Sequence, residues 1–286
     1  MCNSVRKMTE KPANLYAFIE DYIRQIHESA EHFAPVWQDR IPLDWYTKIQ
    51  PASEKNIAAL KKVSGFAQRG LELPAEYLAF LRRMGQNDGG LLSNYFDCYS
   101  DIVHLIRYYE ENDEYFDEEP DWQDNQLLIT IGELTDEPDF CLTVKEDGSH
   151  EISGRSYTWS HKQPTDYYAE TFDKFFMQII FHLYEQAKYQ NTIFFTSCYN
   201  DVKDNVLQYG DTTIMRQVDE LAAQYGFQKS WCSDQWHYCG FKEKSCLMIH
   251  RDFTYSGLIG TDDVTDIGNL EEEINSLLHT HTQESF

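Results

Sequence analysis

The sequence predicts an α+β protein built in two parts, and three observations carry that prediction. In residues 14–33, 54–64 and 74–84 the apolar residues recur at spacings of three and four, the period of helices. Between 126 and 160 short runs rich in β-branched and aromatic residues, Gln126–Gly132 and Asp139–Val144 among them, have the composition of strands. After residue 190 a β-α-β-β-β-α order starts afresh, which suggests a smaller α+β unit at the C-terminal end.

Residues 14–33 read as a helix, with Leu15, Phe18, Ile19, Tyr22, Ile23 and Ile26 on one side. A second helix fits Glu54–Ser64. Ser53 is its expected N-cap, Ile57 and Leu60 its buried face, and Gly65 its left-handed stop. The third lies in Leu71–Gly90. Pro74 suits the first helical position, where its missing N–H costs nothing. Tyr77, Phe80, Leu81 and Met84 form one stripe, and Arg82 and Arg83 suit the C-terminal end of the dipole. Gly85 is a candidate stop, and Asp88-Gly89-Gly90 reads as a turn.

Strands are expected at 126–132, 139–144 and 156–160, with a turn at Glu146-Asp147-Gly148. The clearest helix follows, where Phe172, Phe175, Phe176, Ile179, Ile180 and Leu183 make a stripe wide enough to be core. Beyond it come a strand at 192–198 and a helix over Thr213–Tyr225 stopped by Gly226. Strands near 228–233, 236–242 and 246–252 and the run Tyr255–Asp263 precede a closing helix, Asn269–Leu278, with Asn269 as its cap. The restart after 188–191 places a domain boundary there: 1–189 with its N-terminal helical extension, then 190–286.

A chain of 286 residues with 42% hydrophobic and 15% aromatic content can bury a sizeable core, and its mean hydropathy is −0.58. The longest apolar stretch, Phe175–Tyr184, is broken by Gln178 and His182 and falls well short of the ~18 residues of a membrane span. The N-terminus carries no apolar secretory core. Seven cysteines, an odd number, do not read as a disulfide framework, so reduced thiols in a cytoplasm are expected.

The net charge of −24 is unevenly spread. Residues 85–189 hold 6 basic and 23 acidic side chains, and residues 110–124 alone hold nine acids. Such a field disfavours nucleic acid, which needs cations for its phosphates. It favours a basic partner and fast, salt-sensitive association. The acidic run also carries aromatics, the residue type of interface anchors. Its expected partner-binding residues are Tyr108, Tyr109, Glu110, Glu111, Asp113, Glu114, Tyr115, Phe116, Asp117, Glu118, Glu119, Asp121, Trp122 and Asp124. The blander reading of the same run is a solvated, self-repelling loop.

Other constellations carry less. The acidic run lacks the spacing and central glycine of a calcium loop. Cys232, His237, Cys239, Cys246 and His250 lie close in sequence, but no short Cys pair brings them together as zinc ligands, and buried thiols on adjacent strands explain them. Asp262, Asp263 and Asp266 fit a turn before the last helix better than acid–base work. No phosphate loop, nucleophile elbow or zincin helix is present. The expectation is therefore no catalytic residue, no metal and no cofactor, with an enzyme housed in 190–286 as the outlying alternative.

The motif Leu73-Pro74-x-x-Tyr77-x-x-Phe80-Leu81 followed by Gly89-Gly90 resembles the SUKH superfamily. That group includes many bacterial toxin-immunity proteins and a yeast cell-wall-synthesis regulator. Gly132 and Asp139 match the paired strands of that family, and Phe172 and Phe176 its closing helix; the likeness spans about 45–187. The chain departs from the pattern at Asp88, at Pro138, and in the long acidic insert. The resemblance implies helices packed on a mainly antiparallel sheet and function by binding. A toxin domain that grips nucleic acid would be basic, so the expected role is an immunity protein that occludes a basic, nuclease-type toxin. A regulatory or scaffold protein of the cell-wall-regulator type is the alternative. Neither a nucleic-acid nor a membrane partner is expected.

Overall fold

The computed structural model describes residues 8–28, 45–92, 98–112, 125–132, 139–158, 161–185, 188–197, 213–251, 255–278 and 280–283. They form an α+β protein with two antiparallel sheets. The chain divides into two compact units: Pro42–Phe176, and Met1–Ile41 together with Met177–Phe286.

In the Pro42–Phe176 unit, helix α2 (Trp45–Lys48) precedes α3 (Glu54–Val63), α4 (Phe66–Arg69) and α5 (Ala75–Met84). Ser53 caps α3 as expected, its hydroxyl accepting from the Asn56 N–H at 3.1 Å. Gly65 follows the helix end with φ 78°, a conformation that side chains with a Cβ avoid. Pro74 stands one place earlier than expected. It occupies the cap of α5 with extended backbone, and its carbonyl accepts from the Leu78 N–H. Tyr77, Phe80, Leu81 and Met84 are all buried. A hydrogen-bonded bridge between Gln50 and Asn87 closes the loop over this helix.

The five-stranded sheet runs β1 (Cys98–Tyr99), β2 (Gln126–Gly132), β3 (Asp139–Val144), β4 (His150–Thr158), β5 (His161–Ala169) in spatial as in chain order. Helix α6 (Ile102–Glu111) crosses between β1 and β2. Strands β2 and β3 begin and end where their composition predicts. Of the strand expected at 156–160, residues 156–158 are the end of a longer β4, which pairs with a β5 that the sequence does not advertise. Helix α7 (Phe172–Ile180) supplies Phe172 and Phe176, whose rings meet Tyr77 and Phe80. The motif aromatics Tyr77, Phe80, Phe172 and Phe176 thus form one cluster.

The other unit contains α1 (Leu15–Glu28) and the π-helical turn Phe181–Glu185 that continues α7. It holds a six-stranded sheet ordered β11 (Thr280–Gln283), β6 (Asn191–Ser197), β10 (Tyr255–Thr261), β9 (Ser245–Arg251), β8 (His237–Lys242), β7 (Gln228–Lys229). Helices α8 (Thr213–Gln224) and α10 (Leu270–Leu278), with the short α9 (Val264–Ile267), cover one face. Val218, Ala222, Ile274 and Leu278 pack there with Phe195, Leu247, Ile249 and Ile259 of the strands. Gly257 is required in β10, because a Cβ there would lie 2.2 Å from the Met248 carbonyl oxygen.

The compact units divide the chain at other points than the 189/190 boundary read from the sequence. The Met8 carbonyl accepts from the Trp231 N–H at 2.9 Å and the Ser230 hydroxyl at 3.0 Å. The Tyr22 hydroxyl donates to the Glu185 carboxylate. These bonds join segments far apart in sequence, which local periodicity does not register.

Candidate partner-binding surface

Helix α6 and its approach set the described part of the candidate face. Asp101 caps the helix by accepting from the His104 N–H at 2.8 Å. The Ile102 N–H donates to the Gly85 carbonyl at 2.8 Å, which fixes the helix start against the end of α5. Ile102, Leu105 and Tyr109 face inward. That phase leaves Val103, Arg107, Glu110 and Glu111 exposed.

Of the residues expected to bind a partner, Glu110 and Glu111 are on this solvent side and Tyr108 is half-buried. Tyr109 corrects the expectation. It is buried, and its hydroxyl accepts from the Leu128 N–H of β2 at 2.8 Å. The ring belongs to the core because position 109 falls in phase with Ile102 and Leu105. Asp113, Glu114, Tyr115, Phe116, Asp117, Glu118, Glu119, Asp121, Trp122 and Asp124 lie outside the described residues.

Sequence reasoning missed two surface residues beside them. Tyr99 is 36% and Val103 is 47% exposed. The Tyr99 ring stacks on His104 with centroids 4.0 Å apart and planes at 8°. The available signal was Val103's position out of phase with the Ile102, Leu105, Tyr109 stripe.

The family-motif residues hold the turn behind this face. Gly89 and Gly90 have φ of 74° and 95°. Between Asn87 and these glycines, buried Asp88 accepts from the Gly90 N–H at 2.8 Å, the Leu92 N–H at 2.9 Å and the Ser100 hydroxyl at 2.9 Å. The departure from the family pattern is therefore a structural hub. Gly132 donates its N–H to Asp139 Oδ1 at 2.8 Å, joining the two matched positions of β2 and β3. Leu73 is buried, as are Phe172 and Phe176.

The Cys and His residues of the other unit take ordinary structural places. Cys232, Cys239 and Cys246 are fully buried. Burial pushes the thiols of Cys239 and Cys246 up, away from the reactive thiolate. His237 and His250 are cross-strand partners, and Ser256 hydrogen-bonds His250. His237 Nδ1 lies 3.5 Å from the Asp234 carboxylate, which also accepts from Gln178. Among the described residues, no group of three or more His, Cys, Asp and Glu is placed to hold a metal ion. Asp263 caps α9, Asp266 accepts from Ser245, and Asp262 accepts from the Gln190 N–H. Among the described residues no helix is long and apolar enough to cross a membrane.

His182 adds a pH dependence. Its Nδ1 is enclosed, and burial, with His250 and His237 nearby, pushes its pKa from 6.5 down to about 3. The ring centroids of His182 and His250 are 6.5 Å apart. Below pH 6.5 the unfolded chain binds a proton that the folded imidazole refuses. The stability is complete above 6.5 and falls as the pH drops towards 3, by at most ~1.4 kcal/mol per pH unit. Urea melts at pH 7.5 and pH 5.0 should show a loss of about 1–2 kcal/mol. His182→Gln should flatten that slope, and an unchanged slope would assign the loss elsewhere.

Compared with known proteins, residues 51–178 match the family model described as SMI1 / KNR4 family (SUKH-1). No curated protein and no solved structure matches the chain.

Proposed function

We propose, on the premise that residues 51–178 belong to the SMI1 / KNR4 family (SUKH-1), that this chain is an immunity protein. It neutralises a basic, nuclease-type toxin domain by occluding it. The family supplies protein binding as the general mode of action. One observation carries the finer reading: residues 85–189 hold 23 acidic side chains against 6 basic ones. A toxin that grips phosphates must present cations, and the acidic side chains would pair with those cations and deny them to substrate.

The match to this family also favours a second reading, a regulatory or scaffold protein of the cell-wall-synthesis-regulator type. A toxin gene beside this one supports immunity, and its absence supports regulation.

The test is retention of partners from the organism's own lysate at low and high salt. A basic, toxin-like protein should bind at low salt and leave at high salt. Replacing Glu118, Glu119, Asp121 and Asp124 by lysine should slow association by about tenfold or more and weaken protection, with melting unchanged. Unchanged affinity and protection in that variant would remove the acidic segment from the interface.

A further inference from the structure

Three large apolar side chains are exposed among the described residues: Tyr99, Val103 and Val264. Two of them fall within five residues of one another, in the Pro42–Phe176 unit. Tyr99 is on the two-residue edge strand β1, and Val103 is in the first turn of α6. His104, next to Val103 in sequence, stacks its ring on Tyr99. The patch is small, and the sequence that carries it is charged. Residues 97–124 contain eleven acidic side chains and one basic one, Arg107, which lies 3.7 Å from Glu111.

From this juxtaposition we propose that Tyr99, Val103 and His104 form the apolar anchor of the partner-binding face, and that its occupant is a basic protein surface with one apolar side chain set among its cations. The inference rests on the acidic face being the interface. It assigns the anchor to the β1–α6 edge instead of to the aromatics of 108–124. Two physical requirements converge here. Charge alone gives rate and salt dependence, but little affinity per exposed pair. An apolar contact that excludes water gives residence, and such anchors sit at the centre of polar surrounds. Tyr99 is also held in place by its stacked neighbour, so less side-chain freedom is lost on binding. Charge complementarity selects the occupant, since a second copy of this chain would bring a like field against this one.

The experiment uses the full chain and two synthetic peptides of equal length and charge, one alternating lysine with leucine, the other lysine with serine. Binding is followed by the methyl signals of Val103 and by titration at low and high salt. The lysine–leucine peptide should bind about tenfold tighter, the worth of covering one valine-sized side chain. Val103→Asp should remove that difference while leaving the lysine–serine affinity within twofold. Val103→Thr, which keeps the shape, should remove part of it, and both variants should melt like the parent. If both peptides bind equally and Val103→Asp changes neither, the anchor is overturned while the charge reading stands. If neither peptide binds at low salt, the charge reading fails and the anchor with it. Dimerisation of the chain that Val103→Asp abolishes would overturn the basic occupant in favour of a second copy.

Discussion

Phe172→Ala should destabilise the Pro42–Phe176 unit by about 3–5 kcal/mol, the range for deleting a fully buried phenyl ring. Phe172 is fully buried at the first position of α7. Its ring centroid lies 5.0 Å from that of Tyr77, 5.1 Å from Phe80 and 6.2 Å from both Phe175 and Phe176. Each such aromatic pair adds about 0.5–1.5 kcal/mol beyond the area it buries. The alanine variant loses all four and leaves a cavity that the surrounding rings cannot close without leaving their rotamers. The helix start should survive, because the Phe172 N–H donates to His150 Nε2 at 3.0 Å through the backbone. Phe172→Leu should cost less than half as much, since it keeps most of the volume. Denaturant melts of the three proteins check this. A loss under about 1 kcal/mol for the alanine variant would mean that the motif aromatics are not the core of this unit.

How much of this arrangement was legible in the sequence depends on the range of the interaction. Ser53, Gly65 and the Tyr77–Met84 stripe are local signals, and the structure follows them. Strands β2 and β3 were equally plain, because their runs are continuous and rich in β-formers. Strand β5 was not. Its stretch, His161–Ala169, contains Pro164, which ordinarily argues against a strand interior. The pairing with β4 prevails there, with register shifts on either side of Ser153. The two-residue β1 is too short for any pattern to reveal. Tyr109 was misread because an acidic neighbourhood in sequence suggested exposure, whereas helix phase decides which way a side chain faces. Met8 and Tyr22 found partners more than 160 residues away, and no window along the chain contains that information.

Asp88→Ala should cost about 3–4 kcal/mol, although the residue is a departure from the family pattern. The residue is 4% exposed, and its carboxylate accepts from two backbone N–H groups and one hydroxyl. Alanine takes away all three hydrogen bonds at once. The Leu92 N–H and the Ser100 hydroxyl are then left in a buried site, where each orphaned group costs about 1–3 kcal/mol. Asp88→Asn retains one oxygen but turns an amide N–H₂ toward a donor, so roughly half the loss should persist. Ser100→Ala removes a single bond and should cost about 1 kcal/mol. The double variant should be less damaging than the sum of the singles, by about 1 kcal/mol, because both remove the same contact. The consequence for binding follows from position. Ser100 stands between Tyr99 and Asp101, the cap of α6, so its bond to Asp88 holds the approach to that helix. Hydrogen exchange at Tyr99–Ile102 should therefore accelerate in Asp88→Ala well before the rest of the unit opens. If exchange there stays at the parent rate while the variant still folds, the turn does not support this face.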